Sequence, residues 1–157
     1  MKDFVRHIRY LLRKNDSIII PGLGALIAVD LPALINEKGE CVIEPSREVY
    51  FDNSITTDEK NLLNYSLQKI LNISKEECES KIGNLVSGLR QNLKNHGLFI
   101  LGRIGQFYLK NGQIDFTFNR QYNPVNPYAI FGNYGGRLKK GINNILSFTE
   151  YKRQAMA

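Results

Sequence analysis

Cysteine, histidine and long apolar runs are all scarce in this sequence. Its two cysteines, Cys41 and Cys78, stand far apart. That excludes the disulfide framework of small secreted domains and fits reduced thiols. The only histidines, His7 and His96, have no metal-ligand spacing with either cysteine, so no metal site is expected. No apolar run nears the roughly 18 residues of a membrane span. Arg6, Arg9 and Arg13 interrupt the first apolar stretch at every turn, which excludes a signal peptide. The expected compartment is the cytoplasm.

Catalytic signatures are missing as well. No nucleophile–base pair can be named, and Gly22-Leu23-Gly24 precedes a strand pattern, whereas a nucleotide loop opens a helix. The clustered acids Glu76, Glu77 and Glu79 open a helix, where they suit its dipole. The expectation is a non-enzymatic chain that uses no cofactor.

What is present is a globular composition, 43% hydrophobic and 23% charged over 157 residues, enough for one domain or two small ones sharing a core. The net charge of +6 is uneven: +4 on residues 1–14, −3 on 15–119 and +5 on 120–157. A basic protein invites a nucleic-acid reading. Here the charge sits at the ends, where solvated helix faces and a tail explain it equally well.

The organising pattern is an apolar run, a glycine corner and a second apolar run, found at 17–28 and again at 98–109. Two short runs around glycine read as strands meeting at a sharp bend, with Gly22, Gly24, Gly102 and Gly105 as the corner residues. Setting Gly24 on Gly105, 81 positions apart, also places Ile20 on Leu101, Ile18 on Phe99, Leu12 on Leu93, Ile8 on Leu89, Val5 on Val86 and Phe4 on Leu85. A helical face followed by a strand corner therefore occurs twice, as in two copies of one small unit.

In chain order, 2–14 reads as an amphipathic helix with Phe4, Val5, Ile8, Leu11 and Leu12 on one face. Strands follow at 18–20 and 25–29, then an excursion over 31–40, a third strand at 41–43 and an apolar stretch at 48–51. Thr57 is the expected N-cap of a helix carrying Leu62, Leu63, Ser66, Leu67, Ile70 and Leu71. Ser74 with Glu77 forms a capping box for a second helix, whose buried face is Cys78, Ile82, Leu85, Val86, Leu89 and Leu93. Asn95-His96-Gly97 ends that helix. Asn111-Gly112 joins the strand at 107–109 to one at 114–118 as a hairpin. Beyond it, 121–132 reads as a loop with apolar plugs, 135–141 as a linker and 142–157 as a short helix or a frayed tail. Tyr50, Phe51, Phe107, Tyr108, Phe116, Phe118 and Phe131 are expected in the core or at an interface.

This order of elements resembles the HU/IHF superfamily. The helix from Ser74, its glycine end, the apolar strand and the corner Ile104-Gly105-Gln106-Phe107 are similar to the HU pattern. Glu44-Pro45-Ser46-Arg47-Glu48-Val49-Tyr50-Phe51 resembles the HU segment after the third strand. A finer likeness is to the bacterial tandem HU-like domains related to eukaryotic coiled-coil-domain HU proteins. It rests on residues 15–26, on Asn61-Leu62-Leu63-Asn64-Tyr65 and on residues 125–132. Such domains typically precede a membrane span and a SPOR peptidoglycan-binding domain. This sequence reaches Ala157 with neither, so it is expected to be a fragment or a departure from that architecture.

The resemblance implies an α+β fold of two HU-like units, each with helices and a three-stranded antiparallel sheet, packed as a pseudo-dimer within one chain. The first unit would span 1–56 without its own first helix, the second 57–134, and a basic linker and tail 135–157. It also implies a cytoplasmic adaptor of the cell envelope or division machinery, acting through protein partners and tethered to the inner membrane through sequence not present here. Its oligomeric state would be a monomer or a homodimer.

DNA is the alternative partner. HU grips DNA with a long basic arm between its second and third strands. Here the excursion 31–40 carries Lys38 against Glu37 and Glu40, and the second arm has shrunk to the turn 110–113. Any phosphate or anionic-surface contact would fall to Arg6, Arg9, Arg13, Lys14, Arg103, Arg137, Lys139 and Lys140.

Overall fold

The computed structural model describes residues 2–120. The loop, linker and tail expected over 121–157, with Phe131, Arg137, Lys139 and Lys140, lie outside the described residues. The architecture is α+β, with antiparallel sheets.

The N-terminal half opens with α1, Lys2–Lys14, whose buried face is Phe4, His7, Ile8, Leu11 and Leu12. Apolar residues at these intervals share one side of a 3.6-residue helix. Strands β1, Ser17–Ile20, β2, Gly24–Leu31, and β5, Ser46–Asp52, form a sheet in the order β1-β2-β5. Between β2 and β5 lies a small ribbon of β3, Leu34–Ile35, paired with β4, Cys41–Ile43. The expected third strand at 41–43 is therefore not the sheet's third strand. That place belongs to β5, a seven-residue run whose Arg47, Glu48 and Val49 are buried, whereas β4 is too short and too exposed to hold a sheet edge.

The C-terminal half comprises α2, Leu62–Leu71, α3, Lys75–His96, and a sheet of β6, Leu98–Leu101, β7, Gly105–Lys110, and β8, Gln113–Phe118, in that order. Asn111 and Gly112 both take positive φ at the β7–β8 turn, the mirror-image turn that suits strand twist. The capping box of α3 is complete: Ser74 Oγ accepts from the Glu77 N–H, and Glu77 Oε2 accepts from the Ser74 N–H. Gly97 closes the helix in the left-handed region, its N–H donating to the Leu93 carbonyl. The start of α2 differs from expectation. Thr57 is not its cap: the N-cap position is Asn61, in the left-handed region with no capping bond from its side chain, and Asp58 accepts from the N–H groups of Lys60 and Leu62 at 3.0 and 2.9 Å. A carboxylate with two free oxygens can serve two adjacent donors, which a single threonine hydroxyl further upstream does not.

The 81-residue repeat holds in the backbone. Ser17 pairs with Ile27 and Ile20 with Gly24, while Leu98 pairs with Tyr108 and Leu101 with Gly105. Buried side chains of both halves form a single cluster, from Phe4, Ile8 and Leu12 to Leu89, Leu93 and Phe107. Phe107 is fully buried and meets Phe51 of the other half edge-on at 5.1 Å and Phe116 at 4.9 Å.

Arg47 locks the N-terminal half. Its buried guanidinium donates to the Leu12 and Asn15 carbonyls at 2.9 Å each and pairs with Asp30 at 2.8 Å and Asp16 at 3.2 Å. It thus satisfies carbonyls at the end of α1 that have no helical donor. Burial alone would lower its pKa, but Asp30 and Asp16 outweigh that and hold it above the ordinary value. Arg47→Ala orphans two carbonyls and is expected to lower unfolding free energy by about 3 kcal/mol, measured by urea denaturation. Arg47→Lys should recover only part of that, because a lysine cannot fork across several acceptors.

Candidate functional site

The two glycine corners are tight for different reasons. A Cβ on Gly24 would sit 2.6 Å from the Phe51 ring and 2.7 Å from the Asp52 carbonyl, at a φ of +154°. One on Gly105 would overlap the Phe116 ring and the Thr117 carbonyl. The same contact, glycine under a phenylalanine of the third strand, is built in both halves. Gly22 has open space and needs glycine only for its φ of +78°.

Each corner also rests on a helix of the other half. Arg90 of α3 donates to the Gly22 carbonyl at 2.6 Å. Gly102, at φ +55°, lies so close to Val5 of α1 that a Cβ there would come within 2.6 Å of a valine methyl. The halves are further joined where Arg120 forks onto Glu48 at 2.8 and 3.1 Å, with the Tyr50 hydroxyl on the same carboxylate at 2.9 Å. The Glu48 hydrogen bond holds the Arg120 pKa up. Burial, then Glu48, raises that of Tyr50 well above its ordinary value. The sequence reading missed Arg90, Arg47 and Arg120 as fasteners. For Arg90 a signal existed, since it stands 81 positions after Arg9.

The basic residues do not gather into an arm. Arg6, Arg9 and Arg13 fall on one stripe of α1 by their spacing. Arg6 is tied to Asp3 at 3.0 Å, and Lys14 lies against Tyr10, 2.9 Å from its hydroxyl and 4.7 Å from its ring centre. Arg103 is exposed on the second corner. The β3–β4 ribbon lies where an HU arm would start. Asn36 organises its tip, accepting from the Lys38 and Glu40 N–H groups. Its charged residues, Glu37, Lys38 and Glu40, are mostly acidic.

A groove of about 990 Å³ runs between α1, α2 and α3. Phe4, Tyr10, Leu67, Ile70, Leu71, Ile82 and Leu85 form its apolar walls, and Arg6 and Lys81 add positive charge. His7 also lines it. Although it belongs to a basic helix, it is only 5% exposed and its Nε2 has no hydrogen-bond partner. Burial lowers its pKa. Because the unfolded chain then takes up the proton more readily, stability is complete above about pH 6.5 and falls as pH drops below it. His7→Leu is expected to flatten that slope in thermal melts between pH 5 and 8.

Among the described residues no cluster of three or more His, Cys, Asp or Glu could hold a metal ion, and no helix is long and apolar enough to cross a membrane. Cys41 and Cys78 are both free thiols. Burial pushes the Cys78 thiol up, which makes it a core residue and a poor nucleophile.

A helix leading into a three-stranded antiparallel sheet, interrupted by a ribbon between its second and third strands, defines a class of small α+β domain. Residues 1–59 match the model of the family described as CCDC81-like prokaryotic HU domain 1. That stretch, α1 to β5 and the turn after it, is similar to an HU-like domain. No curated protein and no solved structure matches the chain.

Proposed function

We propose that the chain is a non-enzymatic interaction module built from two HU-like units packed as a pseudo-dimer. The observation that carries this reading is the reciprocal seating of the corners: Arg90 on the Gly22 carbonyl, and Gly102 on Val5. A helix that rests on the other unit's corner, once in each direction, is what a two-fold interface requires. On this reading, which the resemblance to tandem HU-like domains supports, the module works in the cytoplasm as part of a SPOR-type envelope or division protein and acts through protein partners.

The ribbon argues against HU-style DNA bending. Its one lysine is outnumbered by two glutamates, Glu37 and Glu40, whereas phosphate neutralisation supplies most non-specific affinity. The test pairs light scattering with titration of a short duplex DNA at rising salt. A monomer at all concentrations and no DNA retention at moderate salt are expected. Tight low-salt binding that falls steeply with salt would put the basic residues of α1 on phosphate and overturn the reading. A tenfold loss of such binding in Lys38→Ala would make the ribbon a working arm.

A further inference from the structure

We propose that the groove between α1, α2 and α3 receives an amphipathic helix with acidic flanks, supplied by a partner protein.

The apolar stripe of α2 carries more than the core uses. Leu63 and Leu67 are buried, but the same stripe continues into Ile70 and Leu71, which are 61% and 41% exposed and line the groove. Opposite them stand Phe4 and Tyr10 of α1, and Ile82 and Leu85 of α3 close the floor. The volume is about that of two turns of helix with side chains. Helix-on-helix packing is also the local rule. In the C-terminal half α2 covers the start of α3, whereas the described residues hold no such helix over the start of α1.

Two polar features state what the occupant carries. His7 Nε2 is a buried, unpartnered group in a mostly apolar lining, and a buried polar atom gains most from a partner that completes its hydrogen bond. The charges lining the groove are Arg6, Lys81 and Asp3; Arg6 and Asp3 pair with each other at 3.0 Å, so Lys81 leaves the lining net positive. Along the helices that line the groove, α1 also carries Lys2, Arg9, Arg13 and Lys14, while the first turns of α3 carry Lys75 against Glu76, Glu77 and Glu79, so the balance remains positive. Apolar residues at i, i+3, i+4 and i+7 with glutamates beside them match both the walls and the rim.

The inference rests on the interaction-module reading and is tested apart from it. The probes are two fluorescein-labelled helical peptides of identical apolar pattern, one flanked by glutamates and one by lysines, titrated into the full chain by anisotropy. The glutamate peptide is expected to bind at least tenfold more tightly. Ile70→Glu/Leu71→Glu, at exposed positions, should weaken it at least tenfold with an unchanged thermal melt, and Arg6→Glu/Lys81→Glu should invert the preference. Equal binding of the two peptides, no binding by the full chain, or a 70/71 variant that binds like the parent would overturn the proposal. So would concentration-dependent dimerisation abolished by that variant, since a second copy would then fill the groove. DNA binding together with selective peptide binding would overturn only the interaction-module reading. A monomer that binds neither DNA nor peptide would overturn only the groove.

Discussion

Gly105→Ala is expected to destabilise the protein by about 3 kcal/mol or more, and Gly24→Ala by a similar amount. Both added methyls meet backbone as well as ring, the Thr117 carbonyl in one case and the Asp52 carbonyl in the other. A phenylalanine can swing aside, but a ladder carbonyl can move only by breaking its strand pairing, and overpacking of that kind lies at or above the usual range of about 1–3 kcal/mol. Gly24 adds a backbone conformation that L residues avoid. The internal control is Gly22→Ala. Its Cβ would meet nothing within 4 Å, so the loss should be only the conformational one, about 1 kcal/mol. Urea midpoints of the three variants check this ordering. A Gly105→Ala protein as stable as Gly22→Ala would mean the corner opens at little cost and that the shared geometry of the two halves is incidental.

Phe107→Ala is expected to cost about 4 kcal/mol, within the range for fully buried aromatics, and to do so across both halves at once. The ring is fully buried between Phe51 of one sheet and Phe116 of the other, in a core cluster that includes α1, β1 and β2 as well as α3 and β6. If the halves share one core, unfolding of the variant remains a single transition in which probes in α1 and in β7 move together. The check is amide hydrogen exchange in the two halves, compared with the global denaturation midpoint. Loss of protection confined to β6, β7 and β8, with α1 unchanged, would show two independent domains in contact and would remove the basis of the pseudo-dimer.

The sequence alone determined the local elements and their repetition. Helix faces, the Ser74 capping box, the Gly97 stop and the Asn111-Gly112 hairpin are encoded within a few residues of where they act, through side-chain periodicity, a cap three residues away and backbone preference. The 81-residue repeat was legible for the same reason: Ile20 and Leu101, or Ile8 and Leu89, answer to one pattern of burial. The reading slipped at two places: Thr57 was expected as a cap where Asp58 supplies the acceptors, and the 41–43 run as the third strand of the sheet, a place β5 holds.

Tertiary structure alone decided everything that joins residues far apart in the chain. Arg47 has its role only because the carbonyls of Leu12 and Asn15 are brought to it. Arg90 gained its role only when the Gly22 corner was laid on α3. His7 belongs to no motif, and it is buried because α1 turns that side toward the groove. The groove itself is written in no motif, since its walls come from three helices and its apolar stripe reads in the sequence as ordinary core. A hydrogen bond or cavity between distant segments leaves no periodic trace, because each partner is chosen for the other and not for its neighbours.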